Sequence, residues 1–145
     1  MTRIEKSIEI NAPPEKIWPL IYWERLPEWD VEFKEVKVTS EEKNSVGTTV
    51  HLIGEVAGMK AEFDAETTEL IENKKVAYRT IGGNMTGFGS ITLTPTDGGT
   101  KVTQMIEYAL PYSVLGKIID KLRVSKAIDK SYDVAMKKLK EIAEK

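Results

Sequence analysis

The chain has 145 residues, of which 41% are hydrophobic and 30% are charged, a balance typical of ordered globular proteins. It contains no cysteine, which excludes disulfide bonds, thiolate metal sites and cysteine nucleophiles. The 21 basic and 23 acidic residues are spread along the chain, so we expect no nucleic-acid partner. Because no signal-peptide pattern and no long apolar run is present, we expect a single domain, 1–145, that is cytoplasmic and has no stable membrane insertion.

The chain begins with a strand and two short helical pieces. Apolar and polar residues alternate over 4–10, which predicts a strand with one face toward a core. Pro14 then suits the first turn of a helix, and Glu15 favours its positive end. The apolar spacing of 17–21 predicts a short amphipathic helix, and 23–29 predicts a second helical piece interrupted by Pro27.

Six further strands are predicted between residues 33 and 110. The clearest is 59–67, where apolar and charged residues alternate strictly. Glycine-containing turns at Gly58, 82–84 and 97–99 separate neighbouring strands and predict short hairpin connections. The predicted strands are 33–38, 46–56, 59–67, 76–81, 88–94 and 101–110. With the first strand they form a seven-stranded antiparallel meander.

After Pro111 the apolar period changes from two to three and four, which predicts a long amphipathic helix. Its apolar stripe is formed by Leu115, Ile118, Ile119, Leu122, Ile128, Tyr132, Ala135, Met136, Leu139 and Ile142. The helix would have roughly 30 residues and a length of about 45 Å. Only the sheet offers an apolar surface large enough to bury this stripe.

This order of elements, together with five sequence segments, resembles the helix-grip superfamily. The superfamily, also called SRPBCC, includes START lipid-transfer domains, polyketide cyclases and dehydrases, and birch-pollen-allergen-like proteins. The resemblance covers nearly the whole chain and implies an α+β fold in which a seven-stranded curved antiparallel sheet surrounds a long C-terminal helix. It also implies a cavity between them for lipids, quinones, polyketides or other hydrophobic molecules. The segments are SIEINAPPEKIW (7–18), LPEW (26–29), VGT (46–48), GGTKVT (98–103) and EYALP (107–111).

The inward faces of the predicted strands and helix supply the candidate ligand-binding residues. For each of them, packing in a solid core is the alternative interpretation. The candidates are Leu52, Met59, Ala61, Phe63, Tyr78, Ile91, Gln104, Ile106 and Tyr108 from the sheet, and Ile119, Leu122, Tyr132 and Met136 from the helix. The polar candidates could orient a carbonyl or hydroxyl group of a ligand, or bond to backbone groups.

Other residues mark the ends of the expected cavity. Trp18, Trp23 and Trp29 would cover one end, as a lid or as a cap on the core. By the resemblance, the bend 111–113 and Gly116 would frame an entrance.

No catalytic or cofactor motif is recognisable in the sequence. Phosphate-binding and dinucleotide-binding patterns and a nucleophile elbow are missing, and a single histidine without cysteine makes a metal site improbable, so we expect no cofactor. We expect His51 to lie on the surface, since Val50 and Leu52 alternate with it.

Three functions are compatible with this sequence. The first is noncatalytic binding or transport of a hydrophobic small molecule. The second is a metal-free cyclase or dehydratase that would use Tyr78, Tyr108 or Arg79, but alternation places Arg79 and the acidic residues of the strands outward. Two convergent titratable groups inside the cavity would favour this enzyme. The third is a protein-interaction module, for which the sequence names no partner.

Overall fold

In a computed structural model the chain is described over residues 1–109 and 118–145, with the backbone alone for 118–120. Helix α1 covers Pro14–Ile21, a 3₁₀ helix covers Trp23–Glu28, and helix α2 covers Ile118–Ala143. The strands are β1 (Thr2–Ile10), β2 (Phe33–Val38), β3 (Thr49–Val56), β4 (Met59–Ile71), β5 (Lys75–Gly83), β6 (Thr86–Thr96) and β7 (Gly99–Ala109).

The seven strands form one antiparallel sheet in the order β1-β7-β6-β5-β4-β3-β2. Each strand from β2 to β7 pairs with its neighbour in sequence, and β1 closes onto β7 over its whole length. Register shifts interrupt β2 between Phe33 and Glu35 and β4 at two places. Such irregularities bend strands, which helps the sheet to curve. The predicted α+β helix-grip architecture is therefore confirmed.

The β3–β4 connection shows how local sequence produces a tight hairpin. Ala57 and Gly58 are its two central residues, with φ angles of 53° and 79°. Two consecutive positive φ angles are the geometry of a type I′ turn, which matches the natural twist of paired strands. The predicted strand 46–56 begins later than expected, at Thr49, because Gly47 has a φ of 92° and Val46 is exposed.

Helix α2 buries one stripe of side chains. Its buried residues are Val124, Ile128, Tyr132, Ala135, Met136, Leu139 and Ala143, at steps of three and four. The prediction that Leu122 belongs to this stripe is wrong, since Leu122 is 59% exposed. Leu122 precedes Val124 by two residues, which places the two on nearly opposite sides of a helix that turns about 100° per residue. Leu115, the first predicted stripe residue, lies outside the described residues.

Charged groups also join α2 to β1. The Lys6 ammonium lies 3.0 Å from a carboxylate oxygen of Asp129 and 3.4 Å from one of Asp133, one helical turn further on. The Lys140 ammonium donates a hydrogen bond to the backbone carbonyl of Glu9. These contacts are partly exposed, so they fix the position of the helix more than they stabilise it.

We expect the two leucines of α2 to respond differently to truncation. Leu139→Ala should reduce the free energy of unfolding by about 2–5 kcal/mol because Leu139 is fully buried. Leu122→Ala should change it by less than about 0.5 kcal/mol. Urea unfolding of both variants checks this, and equal losses would contradict the assignment of the buried stripe.

Candidate functional site

A cavity of about 80 Å³ lies between the concave face of the sheet, the short helical segment and α2. Its wall is mostly apolar, with Trp18, Ile21, Trp23, Leu26, Phe33, Leu52, Val56, Phe63, Leu70, Val76, Ile91, Ile106 and Ile128 among the lining residues. Phe33 and Phe63 meet edge to face, with ring centroids 5.6 Å apart. This part of the wall offers a hydrophobic surface of the kind that small-molecule sites use.

Eight of the thirteen predicted site residues line this cavity. They are Leu52, Phe63, Tyr78, Ile91, Gln104, Ile106, Tyr108 and Tyr132. Two others, Ala61 and Met136, are buried in the hydrophobic core but are not part of the cavity wall. Most of the candidates that the period-two and helical patterns predict therefore lie together around the cavity.

Two predicted residues do not face the interior, and one cannot be placed. Met59 is 36% exposed because it lies at the tip of the β3–β4 hairpin, and Leu122 lies on the outer side of α2. The inward placement of both is therefore wrong. Ile119 lies within α2, but its side chain is outside the described part of the structure, as are the predicted entrance residues 111–113 and Gly116.

The three tryptophans have different roles. Trp29 is fully buried, and its indole N–H donates to the backbone carbonyl of Leu20 at 2.7 Å, which fixes the short helical segment. Trp18 is buried at the wall. Trp23 lines the cavity, donates to the Thr67 hydroxyl at 2.9 Å and meets Tyr78 edge to face at 5.4 Å.

Gly89 makes room for the Tyr78 side chain. A Cβ atom at position 89 would lie 2.6 Å from the Tyr78 hydroxyl oxygen and 2.8 Å from the backbone carbonyl oxygen of Met105. Any larger residue would therefore displace the phenol or the backbone. The glycine in this strand thus creates the position that the tyrosine occupies.

One part of the wall is acidic. Asp30 and Glu32 follow the 3₁₀ helix, line the cavity and are only 5% and 6% exposed. An Asp30 carboxylate oxygen accepts the backbone N–H of Glu32 at 3.0 Å, the hydrogen bond of an Asx turn. Val31, between them, is 45% exposed. The turn therefore directs both carboxyl groups inward and the valine outward.

Burial changes the acidity of both groups. Loss of hydration raises the pKa of Asp30 to about 6, although the hydrogen bond from the Glu32 backbone opposes the change. Loss of hydration, followed by the nearby charge of Asp30, raises the pKa of Glu32 to about 8, while the Ser131 hydroxyl opposes it. Near neutral pH the pair therefore holds one carboxylate and one carboxylic acid.

Further polar groups converge on the same space. Burial raises the pKa values of the Tyr78 and Tyr132 hydroxyls, and the charge of Asp30 raises both further. Three buried polar atoms have no hydrogen-bond partner among the described residues: Glu32 Oε2, Gln104 Oε1 and the Tyr108 hydroxyl. Unpaired buried polar atoms are costly, so their presence in a cavity wall indicates a place for ligand atoms.

Sequence patterns did not identify Asp30 and Glu32 as site residues. The alternation of inward and outward residues in β2 cannot be extended back to Asp30 and Glu32. The register shift between Phe33 and Glu35 separates this segment from the regular part of β2. The only available signal was an aspartate directly after a helical piece, which is typical of an Asx turn. That signal predicts the local hydrogen bond but not the direction of the side chains.

A separate titratable cluster lies on the outer face of the sheet. His51 contacts Asp64 at 2.8 Å and Glu62 at 3.0 Å, and these carboxylates raise the pKa of its imidazole. Arg79 pairs with Glu66 on the same side, away from the cavity. Among the side chains that the structure describes, 1–109 and 121–145, no group of three or more from His, Asp or Glu is arranged to hold a metal ion.

The comparisons with known proteins agree with this architecture. The family described as polyketide cyclase / dehydrase and lipid transport matches residues 1–144. The chain belongs to this family. A protein of Streptomyces lincolnensis, described as an uncharacterized 17.2 kDa protein, is 31% identical over 124 residues, which cover 84% of this chain and 78% of that protein.

Solved structures of similar fold extend over almost the full chain. TTHA0849 from Thermus thermophilus superposes with a TM-score of 0.83 at 22% identity, covering 98% of this chain and 97% of that one. The Zhui aromatase/cyclase from Streptomyces sp. R1128 gives a TM-score of 0.77 at 16% identity, covering 99% and 93%. At these identities the likeness establishes the shared fold.

Helix length and hydropathy also bear on membrane association. None of the helices in the described residues is both long enough and apolar enough to span a bilayer.

The buried acidic pair predicts a specific pH dependence of stability. Unfolded carboxyl groups titrate near pH 4, whereas the pKa values of Asp30 and Glu32 are raised to about 6 and about 8 in the folded protein. Their contribution to the free energy of unfolding is therefore complete below about pH 4 and is lost as the pH rises through about 8. The Asp30→Asn/Glu32→Gln variant, which stays neutral, should exceed the natural protein by a few kcal/mol at pH 8 and match it near pH 4.

Urea unfolding at several pH values measures this difference. The matched control is Glu35→Gln/Asp97→Asn, which removes two exposed carboxyl groups. It should follow the pH dependence of the natural protein. Parallel curves for the natural protein and the Asp30/Glu32 variant would contradict the buried state of the pair.

Proposed function

We propose that this protein binds a hydrophobic small molecule, such as a lipid, a quinone or a polyketide-like compound, between the sheet and α2. The observation that carries the proposal is the apolar cavity of about 80 Å³ inside the fold. Protein interiors are usually packed without such voids. The space exceeds what one water molecule needs, and most of its wall is apolar.

The family supports the same function from an independent direction. Its description joins cyclase or dehydrase activity with lipid transport, and one structural relative is named an aromatase/cyclase. Both activities require a site for an organic molecule. We assign this site to the cavity because it lies inside the fold and most of its wall is apolar.

Ligand retention tests the binding function directly. After incubation with a total lipid extract, the natural protein should retain a small molecule in native mass spectrometry. Ile91→Trp should lose this mass, because Ile91 lines the cavity and the larger indole would fill it. Ser90→Trp, one residue away on the other face of β6, is the control and should retain it.

Circular dichroism and a melting curve would show that both tryptophan variants are folded. Retention by the Ile91 variant equal to that of the control would contradict the proposed location. An empty natural protein would contradict the binding function itself.

The second candidate function is proton-transfer catalysis of the cyclase or dehydratase type. The observation that favours it is the Asp30–Glu32 pair, which supplies the two convergent titratable groups inside the cavity that this function requires. If a ligand binds in this cavity, the presence of the acidic pair is an argument for catalysis rather than for transport alone. A carboxylate would accept a proton, and the neighbouring carboxylic acid would donate one.

Dehydration of a β-hydroxyketone illustrates the balanced chemistry. The carboxylate removes the proton from the carbon beside the carbonyl. The electron pair left on that carbon forms the new carbon–carbon double bond as the carbon–oxygen bond to the hydroxyl breaks, and that hydroxyl takes the proton of the carboxylic acid and leaves as water. One proton has been accepted and one donated, so the pair ends with its total proton count unchanged.

A simple probe, 4-hydroxy-4-phenylbutan-2-one, tests this chemistry by the rising absorbance of its enone product. The natural protein should accelerate the loss of water, and Asp30→Asn/Glu32→Gln should lower the rate by about a hundredfold or more. Glu35→Gln/Asp97→Asn should leave it unchanged. If the natural protein and the Asp30/Glu32 variant give equal rates, catalysis by this pair is contradicted while ligand binding remains possible.

A further inference from the structure

The charge balance of the cavity wall restricts the ligands that it can accept. Among the described residues that line it, the ionisable groups are Asp30, Glu32 and tyrosines, and there is no lysine, arginine or histidine. Both carboxyl groups are more than nine-tenths buried. A buried negative charge without a positive partner is unfavourable, and a cation brought by a ligand would compensate it.

The buried oxygens without hydrogen-bond partners also favour a ligand that carries hydrogen-bond donors. Glu32 Oε2 is a buried carboxyl oxygen without a hydrogen bond, and the orphaned amide oxygen of Gln104 can only accept. Gln104 lies on β7 and Glu32 precedes β2, so acceptors reach the cavity from two separate parts of the fold. A ligand that supplies N–H donors would satisfy both.

The surroundings of the acidic pair also suit an organic cation. The charge of Asp30 acts on Tyr78 from β5 and on Tyr132 from α2, so these rings lie near the pair. Trp23 meets Tyr78 edge to face at 5.4 Å. Electron-rich aromatic faces attract an ammonium group once water is removed.

We propose that the ligand of this cavity carries a basic amine on an apolar body, with the ammonium group at Asp30 and Glu32 and the apolar body against Phe33, Phe63 and Ile91. This inference rests on the proposed binding function and names the chemical class of the ligand. Anionic amphiphiles such as fatty acids are disfavoured, because their carboxylates would face the same buried acidic groups. Neutral molecules of the same shape would bind more weakly than the amine and more tightly than the anion.

Three probes of one skeleton separate the effect of charge from that of shape. They are 4-phenylbutylamine, 4-phenylbutan-1-ol and 4-phenylbutanoate, each measured by isothermal titration calorimetry at neutral pH. We expect the amine to bind at least tenfold more tightly than the alcohol, and the carboxylate to bind most weakly. In Asp30→Asn/Glu32→Gln the advantage of the amine over the alcohol should disappear, while the affinity for the alcohol changes little.

Glu35→Gln/Asp97→Asn is the matched control and should keep the full preference for the amine. If the alcohol or the carboxylate binds as tightly as the amine, or if the Asp30/Glu32 variant keeps the preference, the inference is overturned while the binding function stands. If none of the three probes binds the natural protein and lipid extracts also leave it empty, the binding function itself fails.

Discussion

The structure depends on the burial of one apolar stripe of α2 against the concave side of the sheet. The stripe runs from Val124 to Ala143, and Lys6 of β1 holds the helix in place through two aspartates one turn apart. The backbone of α2 lies close to β1 and to part of β3. The central strands are therefore covered mainly by side chains, and the space left between these layers is the cavity.

The burial of an acidic pair in this cavity lowers the stability of the folded protein. Removing Asp30 and Glu32 from water raises their pKa values and disfavours their charged forms. The Asx hydrogen bond and Ser131 offset only part of this cost. Groups that are poorly satisfied in the free protein gain most from a ligand, so the same feature that weakens the fold gives the cavity chemical selectivity.

Membership in the polyketide cyclase/dehydrase and lipid transport family leaves open what one member binds. In this chain the difference lies in a few residues on the wall. Gly89 makes room for Tyr78, Trp23 fixes that ring from the side, and the Asx turn directs Asp30 and Glu32 inward. The frame is common to the family, and we propose that these wall residues determine which ligand the cavity accepts.

The seven strands, the long terminal helix and most of the cavity wall can be predicted from the amino-acid sequence, because period-two and helical patterns record which side chains face a core. Tyr78, Gln104 and Tyr108 were identified in this way. The exposure of Met59 and Leu122 and the inward direction of Asp30 and Glu32 become visible only in the folded chain. Met59 is exposed because it lies at the tip of a hairpin, and Leu122 because of the rotation of α2 about its axis. The acidic pair points inward because of a turn beside a register shift. None of the three has a periodic signature in the sequence.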